Sequence, residues 1–178
     1  MQEEPRGTAD AVLAARDVVG HGAFLVLNAD KYYPSSTCAA LAASGTNGLV
    51  AFEATALIRE SGIEAERVLH YAFLDIADDG TLRAIREKPG PDDPLARRAE
   101  RWVSMNLWSF TPVMFEACAR VRPSPRGELE IQDAVTIAMR EVGQSFRVIR
   151  ERTGVLDLSH RADIEAVTAR LAGIEPRP

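Results

Sequence analysis

Phe24-Leu25-Val26-Leu27-Asn28-Ala29-Asp30 is a short apolar run that stops on polar residues. Four consecutive apolar side chains leave no polar face for solvent, so the run reads as a strand covered on both faces. Upstream, Ala11, Ala15 and Val18 fall on one helical stripe between Thr8 and Val19, stopped by Gly20 and Gly22. Downstream, Pro34-Ser35-Ser36 opens a second helix through Leu41, and Gly45 to Gly48 closes it before a second buried strand, Leu49-Val50-Ala51-Phe52. Val68 to Ile76 and Leu82 to Glu87 flank Asp78-Asp79-Gly80, which predicts a hairpin. Pro89 to Pro94 is a loop, and Trp102 to Phe110 is a long strand. A helix begins at Thr111-Pro112, a turn falls at Pro123 to Gly127, and Ile131, Val135, Met139 and Val142 stripe another helix that Gly143 stops. Phe146 to Ile149 is a strand, and His160 to Leu171 a last helix. Helices alternating with strands, with one hairpin inserted, predict a three-layer α/β domain with a mixed sheet. One such domain is expected over 1–173, with a frayed tail at 174–178. Ligands of such sheets bind beyond the C-terminal strand ends, where Asp30 lies.

The 178 residues carry a net charge of −5, which argues against a general nucleic-acid or anionic-membrane surface. No apolar run approaches the ~20 residues that span a bilayer. Cys38 and Cys118 sit in apolar helical stretches without a CxxC pair, the pattern of reduced, buried thiols in a cytoplasmic protein. The polar, acidic first residues do not read as a signal peptide.

Several residues carry possible chemistry. Asp30 and Asp157 each end an apolar strand; each either holds a hard cation against a phosphate or caps a turn or helix. In Glu87-Lys88-Pro89, Lys88 can meet a phosphate as a point charge and Glu87 can accept from sugar hydroxyls; a solvated ion pair before a loop is the plainer reading. Ser124 to Asp133 turns into a helix whose first residues, Glu128, Glu130 and Asp133, complement the helix dipole. His160 reads as a loop or cap residue more readily than as a base.

Taken in order, these segments resemble the sugar-1-phosphate nucleotidyltransferases, also called NDP-sugar pyrophosphorylases. That family has a Gln-x-x-Pro-x-Gly-Thr-Ala-x-Ala loop, found here as Gln2 to Ala11. It also has an apolar strand ending in Asp (Leu27 to Asp30), Glu-Lys-Pro (87–89) and a strand with a mid-strand Asn (Val103 to Phe110). Arg-Gly-Glu-x-Glu-x-x-Asp (126–133) and a late Leu-Asp (156–157) complete the series. The resemblance implies a Rossmann-like, GT-A-like domain and attack of a sugar-1-phosphate oxygen on the α-phosphate of an NTP, releasing pyrophosphate. It implies that Gln2 and Gly7 read the base and that Asp30 and Asp157 hold a catalytic Mg²⁺. Glu87 and Lys88 would bind the sugar phosphate, Lys88 as a catalytic charge, and Asn106 and Glu128 would line the sugar pocket. No protein nucleophile is needed, because alignment and charge neutralisation suffice.

Two departures from the family pattern alter the expectation. The family's glycine-rich Gly-x-Gly-Thr-Arg loop, which cradles the triphosphate, has no counterpart here. The resemblance thus implies a domain incomplete at its N-terminus, with transfer impaired in this chain alone, or a non-catalytic subunit that binds a nucleotide sugar or a partner. Its strand Phe24–Leu27 would be an open edge, available to a second copy in a homodimer or to an N-terminal complementing piece. Lys31 stands where the family often has Asn, so that its amine lies near the metal site, competing for phosphate or discouraging the cation.

Overall fold

The structure, a computed structural model, describes residues 4–172. Its first half runs α1 (Thr8–Ala14), α2 (Arg16–Val19), β1 (Phe24–Val26), β2 (Lys31–Tyr32), α3 (Ser35–Ala43) and β3 (Gly48–Glu53). A short α4 (Ala54–Ala56) continues into a π-helical turn, Leu57–Ser61, and then come α5 (Ala65–Val68), β4 (Ala72–Ile76) and β5 (Leu82–Arg86). The second half is β6 (Trp102–Phe110), α6 (Met114–Arg120), α7 (Ile131–Arg140), β7 (Arg147–Glu151), β8 (Leu156–Asp157) and α8 (Asp163–Leu171).

β6 organises the molecule. The main sheet has the order β5-β4-β6-β3-β7, and β1 also pairs with β6. Only β3 and β7 run parallel, so the sheet is mixed as expected. Side chains alternate across it. Leu49, Ala51, Trp102, Trp108 and Phe110 enter one core with α1, α6 and α7, whereas Val50, Phe52, Val103, Met105 and Leu107 enter the other with Leu41, Leu57 and Val68. Helices therefore cover both faces, the three-layer arrangement predicted from the alternation of elements.

One side of β6 serves two neighbours in turn. Val103 and Ser104 pair with β4, and Trp108 to Phe110 pair with β1. Between them the register against β3 jumps from Leu49↔Trp108 to Ala51↔Ser104, a bulge centred on Asn106, whose φ is 58°. Asn tolerates this left-handed backbone better than most side chains, and bulges of this kind re-aim a side chain.

Three local expectations are revised. β1 is half-buried, with Leu27 exposed, because among the described residues it pairs with β6 alone and no strand covers its other edge. Phe24 anchors it from one face by stacking on Phe115 of α6, ring centroids 5.2 Å apart. Val68 belongs to α5, so the hairpin starts at Ala72. The first helix breaks at Ala15 into two short segments. Gln2 and residues 173–178 lie outside the described residues. Among the described residues no helix is long and apolar enough to cross a membrane.

Candidate active site

The N-terminus of α7 gathers the first group of functional side chains. Gly7 lies with φ 125° and ψ 175° against Leu129. The loop is clamped there by Ala9 N–H to Leu129 O and Leu129 N–H to Arg6 O, both 2.8 Å. Thr8 Oγ1 accepts from the Ile131 N–H at 2.9 Å, satisfying one of the donors that open α7. Glu130 is buried at the helix start, where the dipole favours a carboxylate, and Arg126 pairs with it. Arg126 also approaches Glu87 Oε1 at 3.6 Å. From the next turn, Gln132 Nε2 donates to Asn106 Oδ1 at 3.1 Å, so α7 holds the side chain of the β6 bulge.

Two buried oxygens in this group, Glu87 Oε2 and Gln132 Oε1, have no hydrogen-bond partner. Leaving such atoms unpaired costs about 1–3 kcal/mol each. Burial pushes the Glu87 carboxyl above its ordinary range and the charge on Glu130 adds to this, while Lys88 and Arg126 pull it back only in part. Lys88 itself is exposed and held at φ 43°, beside a buried Pro89. Two left-handed non-glycine residues, Lys88 and Asn106, thus fall in the two motifs read as sugar-side. Strain of this kind clusters where ligands are clamped. The Glu128 side chain is exposed, and its neighbour Glu130 takes the buried place. An apolar groove of about 390 Å³ runs between α1 and β1 and ends at Asn28, Asn106 and Ile131.

The second group forms around the β2–β8 ladder, in which Lys31 pairs with Asp157. Leu158 N–H donates to Asp30 O at 2.9 Å, drawing the two strand ends together. Asp30 and Asp157 are thereby brought to the same place, and Lys31 lies between them: its Nζ is 3.3 Å from Asp30 Oδ1 and 3.3 Å from Asp157 Oδ1. Ser159 Oγ donates to Asp157 Oδ1 and also lies 3.2 Å from Asp30 Oδ2. On the far side of Asp157, Oδ2 accepts from Tyr71 Oη at 2.8 Å and from Arg67 at 3.1 Å. Arg67 also pairs with Asp163 of α8 at 2.9 Å. Burial raises the Asp157 carboxyl, but donors Ser159 and Tyr71 and the Lys31 ammonium outweigh it and hold the group below the usual carboxylate range. His160 is exposed and its backbone N–H donates to Asp163, the loop role expected of it.

A divalent cation does not fit this arrangement. Mg²⁺ takes oxygen ligands at about 2.1 Å, whereas the space between the two carboxylates holds an ammonium. Among the described residues no three His, Cys, Asp or Glu side chains are grouped to hold a metal. Arg67, Tyr71 and Ser159 were not singled out from the sequence, because nothing in their local pattern distinguishes them. The signal that existed was Lys31 itself, a charged residue directly after a strand-end aspartate.

A family model described as nucleotidyl transferase matches residues 1–170, and the chain belongs to that family. It is 26% identical over 170 residues to UTP–glucose-1-phosphate uridylyltransferase AglF of Haloferax volcanii, covering 96% of this chain and 65% of that protein. It is 28% identical over 135 residues to a glucose-1-phosphate thymidylyltransferase of Streptomyces griseus, covering 75% of this chain and 34% of that protein. Among solved structures, UDP-glucose pyrophosphorylase complexed with UDP-glucose superposes with a TM-score of 0.71 at 20% identity, over 96% of this chain and 64% of that one. A putative glucose-1-phosphate thymidylyltransferase from Bacillus anthracis gives 0.68 at 17% identity, over 99% of this chain and 65% of that one. These likenesses establish the α/β nucleotidyltransferase fold. The chain spans less than two thirds of the length of these relatives.

Proposed function

We propose that this chain carries the base-reading and sugar-side parts of a site that transfers a nucleotidyl group from an NTP to a sugar-1-phosphate, forming an NDP-sugar and pyrophosphate. The observation that carries the reading is the pair of buried, unpartnered oxygens, Glu87 Oε2 and Gln132 Oε1, set among two left-handed residues at the start of α7. Acceptors left bare at such cost suit a ligand rich in hydroxyl donors, which a sugar is. Glu87 and Asn106 take hydroxyls, and Lys88 offers its charge to the sugar phosphate. Gly7 lets the backbone of the first loop come close to the base that Gln2 reads, and Glu128 stands at the pocket rim. The residues named work by alignment, holding the sugar phosphate in line with the α-phosphate. Asp30 and Asp157 set the charge at the strand ends; in the family resemblance they are the Mg²⁺ ligands.

A second reading, a non-catalytic binder of a nucleotide sugar or a subunit of a split enzyme, draws on the open edge of β1. That edge is where a second copy or an N-terminal complementing piece would add a strand. Both readings suit a cytoplasmic protein.

The test is pyrophosphate release from a panel of NTPs and sugar-1-phosphates, run beside calorimetry with NDP-sugars. Turnover lost in Glu87→Ala supports the first reading. NDP-sugar binding without turnover supports the second. Neither turnover nor binding by the folded chain refutes both.

A further inference from the structure

The geometry points to Lys31 as the resident cation of the strand-end carboxylate pair, a residue that excludes divalent metal from this chain's site. Four observations converge. The ammonium lies 3.3 Å from one oxygen of Asp30 and 3.3 Å from one oxygen of Asp157. The Lys31 side chain is only 7% exposed and that of Asp157 2%, so the ammonium is not a surface group that happens to lie nearby. The backbone fixes the placement, because Lys31 and Asp157 are direct cross-strand partners in the β2–β8 ladder. Finally, Asp157 has no acceptor position to spare. A carboxylate offers about four lone pairs. Lys31 and Ser159 reach Oδ1, while Tyr71 and Arg67 reach Oδ2.

The charges agree with this account. Asp30, Asp157 and Asp163 face Lys31 and Arg67, so two of the group's three negative charges are already matched by resident cations. A divalent cation entering it would have to expel an ammonium that has little exposed surface, and would meet the guanidinium behind it. Lys31 thereby decides what cation the site uses. It supplies covalently, and permanently, the positive charge that a dissociable ion would otherwise bring. The inference builds on the strand-end carboxylate pair of the proposed site, but it concerns metal uptake and not turnover, so either can fail without the other.

Mn²⁺ binding to the full chain, followed by electron paramagnetic resonance, tests it on wild type, Asp157→Asn, Lys31→Asn and Lys31→Met. The expected result is no saturable Mn²⁺ uptake by wild type. Lys31→Asn and Lys31→Met should each bind one ion, half-saturating on the order of 100-fold below the highest Mn²⁺ concentration at which wild type stays silent, since a unit charge in contact is removed. Adding Asp157→Asn to either should abolish the gain. Saturable uptake of one ion by wild type that is lost in Asp157→Asn overturns the proposal. So does a folded Lys31 variant that takes up no metal. If neither Lys31 variant folds, wild type decides: uptake that depends on Asp157 overturns the exclusion, and silence at millimolar Mn²⁺ upholds it.

Discussion

Replacing Gly7 by alanine tests how the first loop is built into the site. Gly7 sits at φ 125° and ψ 175°, a region that side-chain-bearing residues occupy only at a cost of about 1–3 kcal/mol. The added Cβ would stand 2.5 Å from Leu129 N and 2.6 Å from Leu129 O. Those are backbone atoms, and both already bond to the same loop, through Arg6 O and Ala9 N. Relief of the clash must stretch or break these two bonds, each worth about 1 kcal/mol net. The sum is about 4 kcal/mol, a large share of the ~5–15 kcal/mol that holds a domain folded. Thr8→Ala serves as the calibrating variant, because it deletes only the acceptor for the Ile131 N–H and should cost about 1 kcal/mol. Urea unfolding followed by the fluorescence of the buried Trp102 and Trp108 measures both. A Gly7→Ala midpoint equal to that of wild type refutes the clamp. A loss no larger than that of Thr8→Ala places the whole effect in one hydrogen bond and removes the steric argument.

Three further outcomes are expected. Glu87 has a folded-state pKa above its unfolded value, so the native state holds the extra proton between the two, and stability falls as pH rises through that window. Glu87→Gln should therefore stabilise the chain by about 1 kcal/mol at pH 7, with the gain fading at pH low enough to protonate Glu87 in both states; a destabilised variant at pH 7 would be the contrary result. Asp157 is displaced in the opposite direction, so its contribution is present above the unfolded carboxylate pKa and is lost as pH falls through the depressed folded value. Asp157→Asn should cost about 3 kcal/mol near neutrality, with the gap to wild type closing in acid, and a gap independent of pH would contradict the ion-pair account. Burial pushes the Cys118 thiol up to about 12; Cys38, only half-buried, is raised by the same cause. Ellman titration of the native chain should label Cys38 slowly and Cys118 only on unfolding, and prompt reaction of both would mean that the α6 core is open.

Much of the fold could be read from local pattern. Strands of four or more apolar residues, such as Leu49–Phe52, and the alternation in Trp102–Phe110 mark themselves, and Gly143 ends its helix through a left-handed φ of 70°. The segment from Glu53 to Val68 could not be read, since its helical turns are short and one is π-helical, outside the 3.6-residue period. The site divides along the same line. Asp30, Asp157 and Glu87 are noticeable by their position at strand ends, whereas Asn106 is singled out only by the family resemblance. Arg67 and Tyr71 are marked in neither way, because they reach Asp157 across the fold from a helix and a loop with no distinguishing composition. The choice between Glu128 and Glu130 turns on which residue begins α7, and helix boundaries are the least legible feature of a sequence.

The position of β6 also governs the order in which the chain can acquire structure. β1, β3 and β4 all precede it, and each finds a sheet partner in it. As the polypeptide leaves the ribosome, the β4–β5 hairpin is the one pairing of the main sheet available before Trp102 emerges. Until then the apolar segments Phe24–Val26 and Gly48–Glu53 have no strand partner in that sheet among the described residues, a situation that favours slow folding. Once β6 arrives, three neighbours close on it together, so assembly of the sheet centre is expected as one late, concerted event during synthesis.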